Sequence, residues 1–248
     1  MTHKLTRREF VRDTAVAAAG AAVGLAAVTA HADTIYVCWD GSGDYLTIQE
    51  GIDAATDGER VLVCDGTYAG PGNMELDLQG KAIVVQSQNG PQYCIIDCQG
   101  KGRGFGFYTG ETEDSIVEGF TITNGYADYG GGIYCDGASP TITNCVCETS
   151  AVEVFGGGLA LLSCSSTVSR CAVSGNSALS AGGAYVAGGG PTWIECTFDG
   201  NTATAEGGIP SSVRIRTDDG REAEMLFDGG DFSYRFEGIS SGFTYRVT

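Results

Sequence analysis

Basic residues are scarce in this 248-residue chain: 14 Lys and Arg stand against 31 Asp and Glu, for a formal net charge of −17 and a pI near 4.3. Such a surface has almost nothing with which to neutralise a phosphate backbone, so nucleic acid is excluded as a partner. Anionic membrane surfaces are disfavoured for the same reason. Histidine is rarer still, with only His3 and His31. No helix-length pattern of period 3.6 runs through the body of the chain, which excludes helical solenoids. What is present is a hydrophobic fraction of 42% with 18% charged residues, normal for a chain that buries a core, together with 39 Gly and 10 Cys.

Residues 1–32 read as an address label. Thr6-Arg7-Arg8-Glu9-Phe10-Val11-Arg12 is followed by an Ala-, Val- and Gly-rich run from Thr14 to Ala30, and Ala30-His31-Ala32 is a small-x-small cleavage site before Asp33. The first seven of these residues resemble the twin-arginine export motif. The apolar run is short and weakly hydrophobic for a membrane span, so a removable signal peptide is expected, with no transmembrane span after cleavage. Cleavage would take away both histidines and leave 10 basic residues against 29 acidic ones. A mature chain without imidazole has no Ser-His-Asp relay, no His-ligated metal and no His pH switch.

A repeat of about 25 residues organises the mature chain. Glycine clusters at Gly130-Gly131-Gly132, Gly156-Gly157-Gly158, Gly182-Gly183 and Gly207-Gly208 are offset by 26, 26 and 25 residues. In step with them, Val117, Phe120 and Ile122 map onto Ile142, Cys145 and Cys147, then Val168, Cys171 and Val173, then Trp193, Cys196 and Phe198. Each unit holds short alternating runs rich in β-branched, aromatic and Cys residues, separated by Gly and Asn. A propeller blade needs roughly 40 residues, whereas three strands of four or five residues plus turns make one coil of a parallel β-helix. Residues 33–208 are therefore predicted to be an all-β, right-handed parallel β-helix of about seven coils. Thr47-Ile48-Gln49-Glu50 reads as a capping box opening a short helix whose apolar face, Ile48, Ile52 and Ala55, covers the first coil. Residues 209–248 read as a short β-rich tail with antiparallel patterning over Ser212–Arg216, Glu224–Phe227, Phe232–Phe236 and Phe243–Val247. An incomplete module, a C-terminal cap and a truncated frame all accommodate it.

The segments Tyr45 to Ala55, Val61 to Tyr68 and Gly119 to Gly125 resemble secreted right-handed parallel β-helix proteins of the pectin-lyase-like superfamily. Gly130 to Tyr134 and Asn144-Cys145 are also similar to the repeats of bacterial polymorphic outer-membrane proteins. The resemblance implies export to the periplasm, cell surface or exterior. It covers segments that build coils, and implies polysaccharide chemistry only as a possibility of the superfamily.

The candidate chemistry is sparse. A lyase needs an Arg or Lys base and commonly calcium on carboxylates, yet the coil region has only Arg60, Lys81, Lys101, Arg103 and Arg170. Arg170 shares a column with Asn144 and Glu195 and is expected to form a cross-coil ion pair. Lys101-Gly102-Arg103 is expected to be a mobile loop. Glu148 and Asp199 share an outward column but lie two coils apart, about 10 Å, beyond the usual separation of paired catalytic carboxylates. Asp128, between Tyr126 and Tyr129, is the best candidate for glycan contact, because rings stack on sugar faces and a carboxylate accepts hydroxyls. Cysteines suggest disulfides in an exported chain. Cys38 and Cys64, one period apart, are the best-placed pair, ahead of Cys94 with Cys98 and Cys135 with Cys164. Cys145, Cys171 and Cys196 read as a buried apolar column. Asn176 and Asn201 are expected to form a turn ladder. No cofactor and no metal site is implied, with calcium left open by the acidic surface. The expected role is a binding or surface, adhesin-like protein directed at extracellular polysaccharide or a cell-surface protein. A lyase, hydrolase or epimerase acting on acidic polysaccharide is the alternative.

Overall fold

The computed structural model describes residues 33–204 and the backbone of two further strands, Val213–Arg216 and Glu222–Met225. The expected signal segment, and the tail strands placed at 232–236 and 243–247, lie outside the described residues. The chain winds as a right-handed parallel β-helix of about seven coils, the hand favoured when right-twisted strands are joined by crossovers.

Three long sheets run along it, with a two-stranded fourth made by Ser177–Ala178 and Thr202–Ala203. Sheet A is formed in order by Thr34–Val37, Arg60–Val63, Val84–Ser87, Ile116–Glu118, Thr141–Thr143, Thr167–Ser169 and Thr192–Ile194, and then by the two outlying strands. Sheet B comprises Gly66–Ala69, Cys94–Asp97, Thr121–Thr123, Val146–Glu148, Ala172–Ser174 and Thr197–Asp199. Sheet C comprises Leu76–Asp77, Phe105–Phe107, Ile133–Asp136, Leu159–Cys164 and Ala184–Gly189. Described pairings are parallel except that of Val213–Arg216 with Glu222–Met225, which is antiparallel.

Equivalent residues of successive coils stack, so the core is a set of ladders. In sheet A the inward column is Ile35, Val61, Val85, Val117, Ile142, Val168 and Trp193, each at most 2% exposed. In sheet B it is Tyr68, Ile96, Ile122, Cys147, Val173 and Phe198. Each fully buried aliphatic side chain contributes about 1.5–3 kcal/mol relative to an exposed one. That gain exists only because the neighbouring coil covers it, so stability is a nearest-neighbour sum.

The N-terminal end is closed by helix α1, Ile48–Ala54. The Thr47 hydroxyl accepts from the Glu50 N–H, and the Glu50 carboxylate accepts from the Thr47 N–H. Buried Ile48, Gly51 and Ile52 face the first two coils; a Cβ on Gly51 would lie 2.5 Å from the Val37 side chain. Lys81 Nζ donates to the Ile52 and Asp53 carbonyls at the other end of the helix, at 2.8 and 3.1 Å.

The glycine clusters divide their work. Gly130 and Gly156 have φ of 57° and 67°, the left-handed region; at the equivalent point of the next coil Ala181 takes the same conformation. The glycines that follow are needed for close approach instead. The coil corners are also held by the expected asparagine ladder: Asn176 Nδ2 donates to Asn201 Oδ1 at 3.0 Å and to the Cys147 carbonyl at 2.9 Å.

Candidate functional site

The outward face of sheet C gathers a cluster of aromatic rings that are not in the core. Strand alternation buries Ile133 and Cys135 and turns Tyr134 and Asp136 outward. Tyr134 is flanked in register by Gly106 and Ala160, and these small residues leave room for neighbouring rings. Tyr108 lies across Gly106, where a Cβ would come within 2.5 Å of its ring. Tyr129 and Phe155 come from the turns just before two glycine clusters, paired across adjacent coils. The rings form a row: Tyr134 to Tyr129, 6.1 Å between centroids; Tyr129 to Phe155, 5.8 Å; and Phe155 to Tyr185, stacked at 4.4 Å. These are the offset and tilted arrangements aromatic pairs prefer.

One cation sits at the end of the row. The Arg103 guanidinium lies 4.7 Å from the Tyr134 ring centroid, and its Nε bridges to the Glu75 carboxylate at 3.3 Å. The Arg103 N–H also donates to Glu75, at 2.9 Å. The side chain is only 17% exposed, and the buried Nη1 has no hydrogen-bond partner among the described residues. Arg103 is thus clamped by backbone, carboxylate and ring, which corrects the expectation of a mobile loop; Glu75, two coils of sheet C removed from Tyr134, supplies the clamp. Burial raises the Tyr108 phenol, with the Asp77 charge adding to it. Burial likewise raises Tyr134, reinforced by the charge of Asp136 and by the hydrogen bond its hydroxyl donates there at 3.2 Å. Both phenols therefore stay protonated and can serve as donors beside the carboxylates.

Asp77 and Asp136 stand on strands separated by Phe105–Phe107, and Asp77 is in register with Tyr134, two residues before Asp136, so their backbones are more than two strand spacings, that is more than about 9.6 Å, apart. The face offers stacking surface and hydroxyl partners rather than two converging carboxylates. Among the described residues no group of three or more His, Cys, Asp or Glu is arranged to hold a metal ion.

The three glycan-contact candidates divide. Tyr129 is in the ring row. Tyr126 is 46% exposed and has no ring partner among the described residues; its hydroxyl donates to Glu153 of the next coil. That hydrogen bond, then the Glu153 charge, raises the Tyr126 phenol, with Asp128 contributing a further negative charge. The exposed Asp128 is held through its carbonyl, which accepts from Val154 and Phe155 at 3.1 and 3.2 Å. Cys38 and Cys64 are joined as a disulfide between the first two coils, with Cα atoms 5.0 Å apart. Cys94, Cys98, Cys135 and Cys164 are free and buried. Arg170 does not pair with Glu195. Both occupy left-handed corner positions, φ 52° each, and the guanidinium turns to the preceding coil, where it donates to Thr143 Oγ1 at 3.2 Å.

Tyr134, Phe155 and Tyr185 were not singled out as site residues from the sequence, and Arg103 was read there only as one of five coil-region bases in a loop. Tyr129 and Phe155 did carry a signal, each directly preceding a glycine cluster one period apart. Arg103 carried none, because its partners come from the preceding and following coils.

The family model described as a right-handed β-helix region matches residues 72–210, more than half of the chain, and the chain belongs to this family. Among solved structures, a pectin methylesterase from carrot is similar over 74% of this chain, at 16% identity and a TM-score of 0.50. The likeness is one of fold, and the matched region spans 60% of the carrot enzyme's length. A structure titled rhamnogalacturonan lyase aligns over 75% of this chain and 66% of its own, at 13% identity and a TM-score of 0.34. A search of curated proteins finds no match. Among the described residues no helix is long and apolar enough to cross a membrane.

Proposed function

We propose that this chain is an exported, non-catalytic glycan-binding protein that uses the outward face of sheet C, and that its ligand is a neutral polysaccharide. The row of rings from Tyr134 to Tyr185 carries the reading. It sets aromatic surface along the coil axis, with Phe155 and Tyr185 covering each other's facing sides, and the Tyr108 phenol and Asp136 lie beside it to exchange hydrogen bonds with hydroxyls. Charge selects the class of glycan. The face bears Glu75, Asp77, Asp128, Asp136 and Glu153 around one guanidinium that is already paired. A polyuronate would meet like charge on a protein of net charge −17, whereas a neutral chain would not. Export rests on the twin-arginine-like segment and on the Cys38–Cys64 disulfide, a bond that persists in oxidising compartments.

The test is binding of the purified protein to neutral and uronate polysaccharides by affinity electrophoresis or calorimetry, with a parallel assay for unsaturated products, reducing ends and released methanol. Expected are binding to a neutral glycan, no product release, and loss of roughly tenfold in affinity in Tyr134→Ala or Tyr185→Ala, about 1–1.5 kcal/mol for one stacked ring. Affinity confined to uronates, or unchanged by both substitutions, would overturn the reading. The second reading is a polysaccharide-active enzyme. It draws on the fold shared with the carrot esterase and on Arg103 held between Glu75 and the Tyr134 ring on one face, and product release abolished by Arg103→Lys would establish it.

A further inference from the structure

The cysteines of the last coils form a built arrangement that glycan binding does not use. Cys145, Cys171 and Cys196 each stand three residues beyond the inward sheet A column, after Ile142, Val168 and Trp193. The strands on either side are in register: Thr143, Ser169 and Ile194 before them, Val146, Ala172 and Thr197 after them. Each thiol has the same surroundings. Cys145 Sγ donates to the Thr143 carbonyl at 3.3 Å, Cys171 to that of Ser169 at 3.2 Å, and Cys196 to that of Ile194 at 3.4 Å. Of the side chains around them, Cys171 has the largest influence on the titration of both of the other thiols.

The same chain supplies a template. Cys38 and Cys64 also stand three residues beyond that column, after Ile35 and Val61, in adjacent coils 26 residues apart. There the two are bonded. Cys145 and Cys171 have the same separation of 26 residues, and Cys171 and Cys196 are 25 apart. Adjacent parallel strands hold equivalent Cα atoms about 4.8 Å apart, inside the range a disulfide spans. Three thiols in one column can make only one bond between neighbours, and any such bond must include Cys171.

We propose that Cys145, Cys171 and Cys196 form a thiol–disulfide exchange site in which Cys171 is the shared partner. A low-molecular-weight disulfide is the oxidant: the Cys171 and Cys196 thiols lose two protons and two electrons to form one S–S bond, and the oxidant is reduced to two thiols. Entry is through Cys196, which is partly exposed while Cys145 and Cys171 are buried. Attack of the Cys145 thiolate on the Cys171 sulfur then releases the Cys196 thiolate and moves the bond one coil inward without net oxidation. Contact with Cys171 favours the thiolate at both ends of the column. The bond ties together adjacent coils on the side of the described stack away from α1.

The experiment equilibrates the folded protein with oxidised glutathione, quenches in acid, alkylates free thiols and maps linkages by mass spectrometry after cleavage at glutamate, which separates Cys196 from Cys171. Expected is one bond at Cys171, to Cys196 or Cys145, and a thermal midpoint roughly 5 °C above that of the reduced protein. Cys145→Ala should retain the bond to Cys196, Cys196→Ala, which lacks the partly exposed entry thiol, should form the bond to Cys145 far more slowly than the wild type, and Cys171→Ala should leave both remaining thiols alkylated. Circular dichroism verifies that each variant is folded; where one is not, the wild-type linkage map decides. Three alkylated thiols at every glutathione ratio, or a Cys145–Cys196 bond in Cys171→Ala at wild-type yield, would overturn the proposal.

Discussion

At Gly132 an added methyl group would sit 2.7 Å from the Gly158 carbonyl oxygen and 2.9 Å from the Cys147 sulfur, so the coil spacing itself forbids a side chain. Gly132→Ala is expected to lower stability by about 1–3 kcal/mol, the cost of overpacking a well-filled interior, measured by thermal or denaturant unfolding. An unchanged midpoint would mean that the coils can separate to accommodate it. Tyr68 illustrates a different single-residue effect. It is 1% exposed, its hydroxyl donates to the Val37 and Cys64 carbonyls at 3.0 and 3.1 Å, and burial pushes the phenol up to about 12. The unfolded chain releases this proton near pH 10, while the folded one holds it. Its contribution is therefore complete below pH 10 and is lost as pH rises towards 12. Tyr68→Phe should unfold at a lower temperature at pH 8, yet its midpoint should fall less steeply between pH 10 and 12 than that of the wild type. Parallel slopes would refute this account.

The elements depend on a few side-chain bonds that replace missing backbone partners. In α1 the reciprocal pair of Thr47 and Glu50 satisfies two donors at the helix start, and Thr47→Ala is expected to cost about 1 kcal/mol, with faster amide exchange confined to residues 48–54. Equal acceleration throughout the coils would show that the cap and the solenoid unfold as one unit. The asparagine ladder carries more. Asn176 is 1% exposed, receives the Ser150 N–H at 2.9 Å and donates to the Cys147 carbonyl. Asn176→Ala strips a partner from both buried groups, for an expected loss of about 3 kcal/mol in chemical unfolding. A loss below 1 kcal/mol would show that water replaces the amide. The ring row is an element-scale feature too, because it joins strand residues Tyr134 and Tyr185 to turn residues Tyr129 and Phe155 across successive coils.

Over the whole molecule the net charge of −17 acts on stability as well as on partner choice. Like charges spread along a solenoid repel, and raising salt from 0.01 to 0.1 M shortens the screening length from about 30 to about 10 Å. The thermal midpoint is expected to rise over that range, followed by calorimetry in sodium chloride; a flat or falling midpoint would show that local pairing has already neutralised the repulsion. Under the proposed function, the same repulsion would disfavour a polyuronate relative to a neutral glycan.

The sequence by itself determined the coil. Two markers in step, the glycine clusters and the apolar columns through Val117, Ile142, Val168 and Trp193, specify a period, and a period of about 25 short-strand residues can bury its apolar face only by stacking on copies of itself. The capping box and the asparagine ladder were legible for the same reason: each is a local or one-period relation. The tertiary structure alone decided what faces what beyond one period. It brought Glu75, Arg103 and Tyr134 together from successive coils of sheet C, turned Arg170 towards Thr143 instead of Glu195, and aligned four rings into one row. Insertions in individual turns shift the count between coils, so outward neighbours are set by the path of each turn, and that path depends on which backbone groups the adjacent coil leaves to be satisfied.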